Sequence, residues 1–321
     1  MGLGIRPYQR GLQAVGQHTF AWLQPDGGWG WSNAGLIVDG EQSMVVDTLF
    51  DLPLTRDMLA AMHAAAPSAT AHYDYLVNTH SNGDHCNGNE LVGDAQIIAS
   101  TACLREMAEE NPEMMLNLLA AAPQMGAVGE FFTHCFGQFD FRNIQRSLPN
   151  RTFDDALTVH VGDKAVHLKQ VGPAHTHGDV LVHVPADRTV FTGDILFIEG
   201  HPILWAGPVQ NWLDACDYML ALDLETVVPG HGPITDKNGI RAVQGYLTYI
   251  RDQARLRFDA GLSVMEACKD ISFADYDSWG DSERIAVNVS VLYKEFAGDT
   301  SPNDVVALFG LMAQLNQARR A

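Results

Sequence analysis

The stretch NTHSNGDHCNGNELV, residues 78–92, sets His80, Asp84 and His85 within one short segment, with Asn82 between them. Imidazole nitrogen and carboxylate oxygen are ligands for divalent transition metals, and a metal so held lowers the pKa of its water from 15.7 to roughly 7. Further along, GPAHTHGD (172–179) carries His175 and His177, FTGD ends on Asp194, and VVPGHG places His231 between Gly230 and Gly232. Any one such histidine reads most simply as a structural hydrogen bonder. Four separate clusters, each beside glycine and each at the end of an apolar β-type run, read together as one metal-dependent site. No GxSxG is present, and Cys86 reads as a small packing residue, since nothing near it supplies a base.

The β-type runs that must present these residues lie at 33–38, 43–48, 73–79 and 95–100, and again at 164–171, 179–185, 189–194 and 225–230. They flank a middle section, 101–140, with helical apolar spacing and breaks expected at Pro112 and Pro123. Its methionines and aromatics read as helix core ahead of a substrate cap. Beyond residue 235 the spacing turns helical, with a long helix at 236–259 and shorter amphipathic segments near 263–270, 281–296 and 302–318. The expected organisation is an α/β body over 1–235, with the 101–140 insertion near the site. A helical C-terminal extension, 236–321, packs on it or forms a homodimer surface.

Composition narrows the function classes. The 321 residues are 46% hydrophobic, enough for a sizeable core, and Lys+Arg 20 against Asp+Glu 39 gives a net charge of −19. That balance, with no basic run, repels nucleic acid and anionic membrane, disfavours a nuclease and leaves a small-molecule substrate as the expected partner. No signal-type segment and no run of 18 apolar residues occurs, so a cytoplasmic protein is expected. Five scattered cysteines without a CxxC pair argue against a disulfide framework.

THSNGDH, GPAHTHGD, FTGD and PGHG, in this order and at these separations, resemble the metallo-β-lactamase superfamily, whose motif set is HxHxDH, a later His, an Asp and a final His. The resemblance runs from about residue 12 to about 235 and takes in Asn33–Gly35 and Asp47, the latter a position that supports the metal loop from behind in that family. It implies an αββα sandwich, two mixed β-sheets flanked by helices. Carried over, the first metal site takes His80 and His175, with Asn82 where the family has a histidine. The second takes Asp84, His85 and His231, and Asp194 bridges the two. Asp84 and Asp194 also take the catalytic role of fixing the attacking water and managing its proton.

The implied cofactor is zinc, one or two ions. An amide oxygen at 82 suits iron, manganese or magnesium better than zinc, unless Asn82 merely serves its turn, as Asn beside Gly commonly does. The implied activity is hydrolysis of an ester, lactone, thioester or amide in a moderately apolar substrate. Two alternatives stay open: a mononuclear iron oxidoreductase of the same fold, and a non-catalytic ligand-binding or sensing protein. The superfamily's name is no evidence of β-lactam turnover, because one fold hosts many chemistries.

Around the ligands, Trp29, Trp31, Trp205 and Trp212 either line an apolar substrate groove or lie buried under the C-terminal helices. His177 is either an outer donor or a surface histidine, and His201 either sits near the mouth and compensates for Asn82 or only makes a His-Pro turn. Arg284, in the polar stretch 277–289, reads as part of a solvated helix face ahead of a group closing the site.

Overall fold

Side chains alternate between the two faces of each strand, and here both faces are covered, so the protein builds two sheets with three apolar layers. The structure, a computed structural model, describes residues 2–111 and 113–320, with side chains up to residue 318; Pro112 lies outside the described residues. Strands β1 (Gly11–Gly16), β2 (Thr19–Leu23), β3 (Ala34–Asp39), β4 (Gln42–Val46), β5 (Tyr75–Val77), β6 (Gln96–Ser100) and β7 (Arg151–Phe153) pair in that order. The sheet is antiparallel from β1 to β4 and parallel from β4 to β7. Strands β8 (Ala156–Val161), β9 (Lys164–Gln170), β10 (Val180–Val184), β11 (Thr189–Phe191) and β12 (Thr226–Val228) form the second sheet, antiparallel except between β11 and β12.

Period two decides which layer each residue joins. Ile37, Met44 and Val46 face Val166, Val180 and Val182 across the inter-sheet core. Their neighbours Leu36, Val38 and Val45 point the other way, onto Met58 and Met62 of helix α1 (Leu52–Ala65). Helix α1 begins where Asp51 accepts from Leu54 N at 2.8 Å, with Pro53 in its first turn.

Between β5 and β6 comes a short helical turn, α2 (Gly83–Cys86), and between β6 and β7 come α3 (Thr101–Glu109), α4 (Met114–Ala121) and α5 (Gly126–Phe136); Pro123 lies in the 3-10 turn joining the last two. The outer face of the second sheet, through Leu181, Val190 and Val227, packs on α6 (Val209–Ala221) and α7 (Lys237–Asp259). That layer runs on without a break into α8 (Val264–Asp270), α9 (Ile285–Ala297) and α10 (Val305–Arg320), and it includes Phe131 and Phe136 of α5. The helices after 235 are therefore walls of the same core as the strand ends. Among the described residues, no helix is long and apolar enough to cross a membrane.

Candidate metal centre

Five chain segments meet at one edge of the sandwich. His80 follows β5, Asp84 and His85 lie on α2, His175 precedes β10, Asp194 follows β11 and His231 follows β12. Backbone bonds lock these segments together. Val180 N donates to Thr79 O at 2.8 Å across the two sheets, and Asn33 N to Gly230 O at 2.7 Å. The Asn33 amide also donates to Pro229 O at 3.0 Å and Gly232 O at 2.8 Å. A Cβ on Gly230 would collide with the Asp194 carboxylate and the Gly193 backbone, so only glycine lets the His231 loop approach this closely.

The second-row partners fix each imidazole's orientation. His175 Nδ1 donates to Ile203 O at 2.7 Å, His231 Nδ1 to Gly27 O at 3.1 Å, and His85 Nδ1 to Asp47 Oδ2 at 2.9 Å. His80 Nδ1 donates to Thr79 Oγ1 at 3.0 Å, because that hydroxyl spends its own proton on Asp47 Oδ2 at 2.7 Å. Carbonyls and carboxylates only accept, so all four Nδ1 atoms carry hydrogen and all four Nε2 atoms are turned to the centre. His80 Nε2 and Asp194 Oδ1 are buried and make no hydrogen bond among the described residues.

The spacing of the converging atoms matches ligands around a cation. Around a metal with ligands at about 2.1 Å, tetrahedral neighbours stand about 3.4 Å apart. Asp194 Oδ2 lies 3.4 Å from His175 Nε2, 3.7 Å from His80 Nε2 and 3.4 Å from His231 Nε2. Asp84 Oδ2 lies 3.3 Å from His231 Nε2 and 3.9 Å from His85 Nε2, and His85 Nε2 lies 3.1 Å from Asp194 Oδ1 without the alignment of a hydrogen bond. The groups His80, His85, Asp194 and Asp84, His85, His231 each keep their ligand atoms within 4.8 Å. The residues fit one or two divalent cations, with Asp194 placed to reach both.

Electrostatics points the same way. Burial, helped by neighbouring His85, holds His80 well below the ordinary imidazole value, and burial lowers His175 as well. Burial opposes charge on His231 and His85 too, but the Asp194 carboxylate outweighs it, lifting His231 to about 9 and His85 well above its usual value. With no cation present the two carboxylates thus draw protons onto two imidazoles, and a bound metal would displace them.

Asn82 is the departure from the resembling motif. It stands at the N-cap position of α2, yet its side chain makes no capping bond. Instead Oδ1 faces His175 Nε2 at 2.8 Å. With Nδ1 of that ring donating to Ile203, both facing atoms are lone-pair bearers, a pairing that a shared cation resolves. The amide is turned towards the centre and caps nothing in its own turn.

Above the cluster opens a cavity of about 430 Å³. Trp29 and Trp205 line it as expected, but Trp31 does not. Its ring packs 4.9 Å from Phe139, in the wall behind. Trp212 is buried, donating from Nε1 to Ile195 O at 2.8 Å. His201 is likewise no part of the mouth: it is buried in the C-terminal layer, Nδ1 2.9 Å from the Tyr246 hydroxyl and its ring 4.4 Å from Phe273. His177 sits exposed in an adjoining hollow, with Nδ1 2.5 Å from Glu106 Oε1. Arg284, read as solvated, is 2% exposed and lines the cavity. Its guanidinium lies 4.5 Å from the Trp29 ring and 5.0 Å from Phe197, which in turn stacks on His231 at 5.0 Å. Cys86 is buried among Ala99, Cys103 and Met107, and burial pushes its thiol far up, so it is inert packing. Asp47, with three donors upon it, is the support the resemblance implies.

Comparison with known proteins agrees with the fold. Residues 27–231 match the family model of the metallo-beta-lactamase superfamily. A Beta-lactamase-like protein 2 homolog from Caenorhabditis elegans is 22% identical over 206 residues, covering 64% of this chain and 57% of that protein. The stereoselective inverting sec-alkylsulfatase Pisa1 from Pseudomonas sp. superposes with a TM-score of 0.67 at 16% identity, over 92% of this chain and 52% of its own. A metallo-beta-lactamase from Pontibacter korlensis gives 0.54 at 17% identity, over 75% and 99%. The chain thus spans little more than half the length of the first two relatives.

Proposed function

The chain belongs to the metallo-beta-lactamase superfamily, and on that premise we propose that it is a metal-dependent hydrolase acting on an ester-type or amide bond. The observation that carries this reading is the convergence of His80, His85, His175 and His231 with Asp84 and Asp194, all spaced as ligands and with the four imidazoles oriented from behind. When bound there, zinc or another divalent cation supplies hydroxide at neutral pH and charge stabilisation for the developing oxyanion. The chain's own residues do the rest. Asp194 and Asp84 offer carboxylates on either side of the space where water and the scissile group must sit, and accept or return the proton. Asp47, Thr79, Ile203 and Gly27 hold the imidazoles at fixed tautomers. Phe197, Trp29 and Phe136 exclude bulk water from the floor of the cavity.

The oxygen of Asn82 supports a second reading, in which the first centre takes iron or manganese in preference to zinc and the chemistry is oxidative. Both are tested by metal analysis of protein purified without added metal, and by turnover of carboxylic esters, lactones, thioesters, amides and, because a sec-alkylsulfatase is among the similar structures, sulfate esters. Zinc with turnover of any of these supports the hydrolase. One equivalent of iron with no hydrolysis on the whole panel overturns it. In Asn82→His, zinc stoichiometry should rise towards two; no change would show that Asn82 lies outside the ligand set.

A further inference from the structure

Hydrolysis needs the floor of the cavity, but the walls and lip are built for something else. Phe309 of α10 is their hub, its ring 5.8 Å from Trp29, 6.1 Å from Phe136 and 6.4 Å from Trp205, near-parallel to the last at 22°. The charges in the walls cancel locally. Arg146 pairs with Glu110 at 2.8 Å and Arg284 with Asp281 at 3.0 Å, so neither arginine is left for an ionic ligand. At the lip the usual surface rule fails: Met114 of α4 is 47% exposed and Val305 of α10 is 50% exposed, both lining the cavity. Leu116 and Val306 on the same two helices are 38% and 69% exposed. Single exposed apolar residues need no explanation, but two helices bringing theirs to one cavity mouth do.

We propose that this cavity is a binding site for a neutral apolar chain, and hence that the substrate is an ester-type compound carrying a medium-length alkyl or acyl group. The reacting group lies over Asp84, Asp194 and His231, and the chain runs along Phe136, Trp205 and Phe309 and leaves between Met114 and Val305. This rests on the hydrolase reading for the reacting group only; the chain site stands on the walls. Helices α4 and α10 therefore set specificity. At about 430 Å³ the space is in the range of small-ligand pockets, and each methylene buried in it should tighten binding about two- to fourfold.

The test uses the whole protein and a series of neutral, non-reacting probes, the 1-alkanols from butanol to decanol, with binding followed by calorimetry and by the tryptophan emission of Trp29 and Trp205. The expected result is a Kd that falls two- to fourfold per methylene until the cavity is full. Val305→Asp and Met114→Asp, at exposed positions where folding is not at stake, should flatten that dependence, and octanoate should bind no better than octanol. A Kd independent of chain length, or both lip variants behaving as the parent, overturns the proposal. Alkanol binding needs no turnover, so chain-length-dependent binding without hydrolysis of any ester would sink the reaction and keep the site. Ester hydrolysis with kcat/KM indifferent to chain length would sink the site and keep the reaction.

Discussion

Replacing Asp47 by Asn changes one oxygen for one NH2 and should cost the centre much of its metal affinity. Asp47 Oδ1 accepts from Thr79 N at 2.7 Å, while Oδ2 accepts from Thr79 Oγ1 at 2.7 Å and His85 Nδ1 at 2.9 Å. An asparagine that keeps its oxygen towards Thr79 N turns its NH2 onto His85 Nδ1–H, donor against donor. The relief is to move the imidazole proton to Nε2, into the position a metal must occupy. The flipped amide instead faces Thr79 N–H and leaves a buried donor unmet, at about 1–3 kcal/mol. Loss of such a support typically costs 10–100-fold in metal affinity, or about 1.4–2.7 kcal/mol. Competition between metal-free protein and a chelator of known zinc affinity measures it, with thermal unfolding as the control for folding. An affinity within twofold of the parent's, in a folded variant, would refute the claim that the Asp47–His85 bond sets the tautomer.

Two further substitutions test the walls and the frame. Arg284→Met removes the cation between Trp29 and Phe197 and the donor at 3.0 Å to His201 O, and should lower stability in urea by about 2 kcal/mol; a change below about 0.5 kcal/mol would mean a surface role after all. Asp187 ties the two sheets by accepting from Lys164 Nζ at 2.8 Å, Thr19 Oγ1 at 2.5 Å and Gln17 N at 2.9 Å; burial opposes its charge, but these donors hold its carboxyl below the ordinary value. A depressed folded value contributes stability above the ordinary carboxylate range, and that contribution is lost as pH falls through the folded value. Asp187→Asn should therefore flatten the acid limb of the stability curve, and an unchanged limb on urea titration would contradict the assignment.

The site was legible because its ligands stand at strand ends beside glycine, and the fold gathers strand ends. His80, Asp84, His85, His175, Asp194 and His231 come together for that reason. The direction of the Asn82 amide was not legible, since Asn before Gly serves turns as readily as centres. Nor were the fates of His201 and Arg284. His201 sits in a His-Pro turn and Arg284 in a polar-looking stretch, and only tertiary packing, through Tyr246 and Phe273 for the one and Trp29 and Phe197 for the other, draws them inside. Strands β1, β2, β7 and β8 escaped the reading of runs. TFAWL (19–23) is buried at four of five positions and so shows no alternation, while β7 is only 3 residues long. The segment near 302–318 was visibly amphipathic, but periodicity alone does not say that Phe309 faces the cavity.

The four histidines and two aspartates should together hold a divalent metal. Calorimetric titration of zinc into metal-free protein tests it most directly, alongside His85→Ala and His231→Ala, each of which removes an imidazole at the centre. At least one tightly bound equivalent is expected in the parent, with proton release on binding and loss of most of that binding in both variants. Tight binding retained in full by either variant, or no binding by the parent, would contradict it.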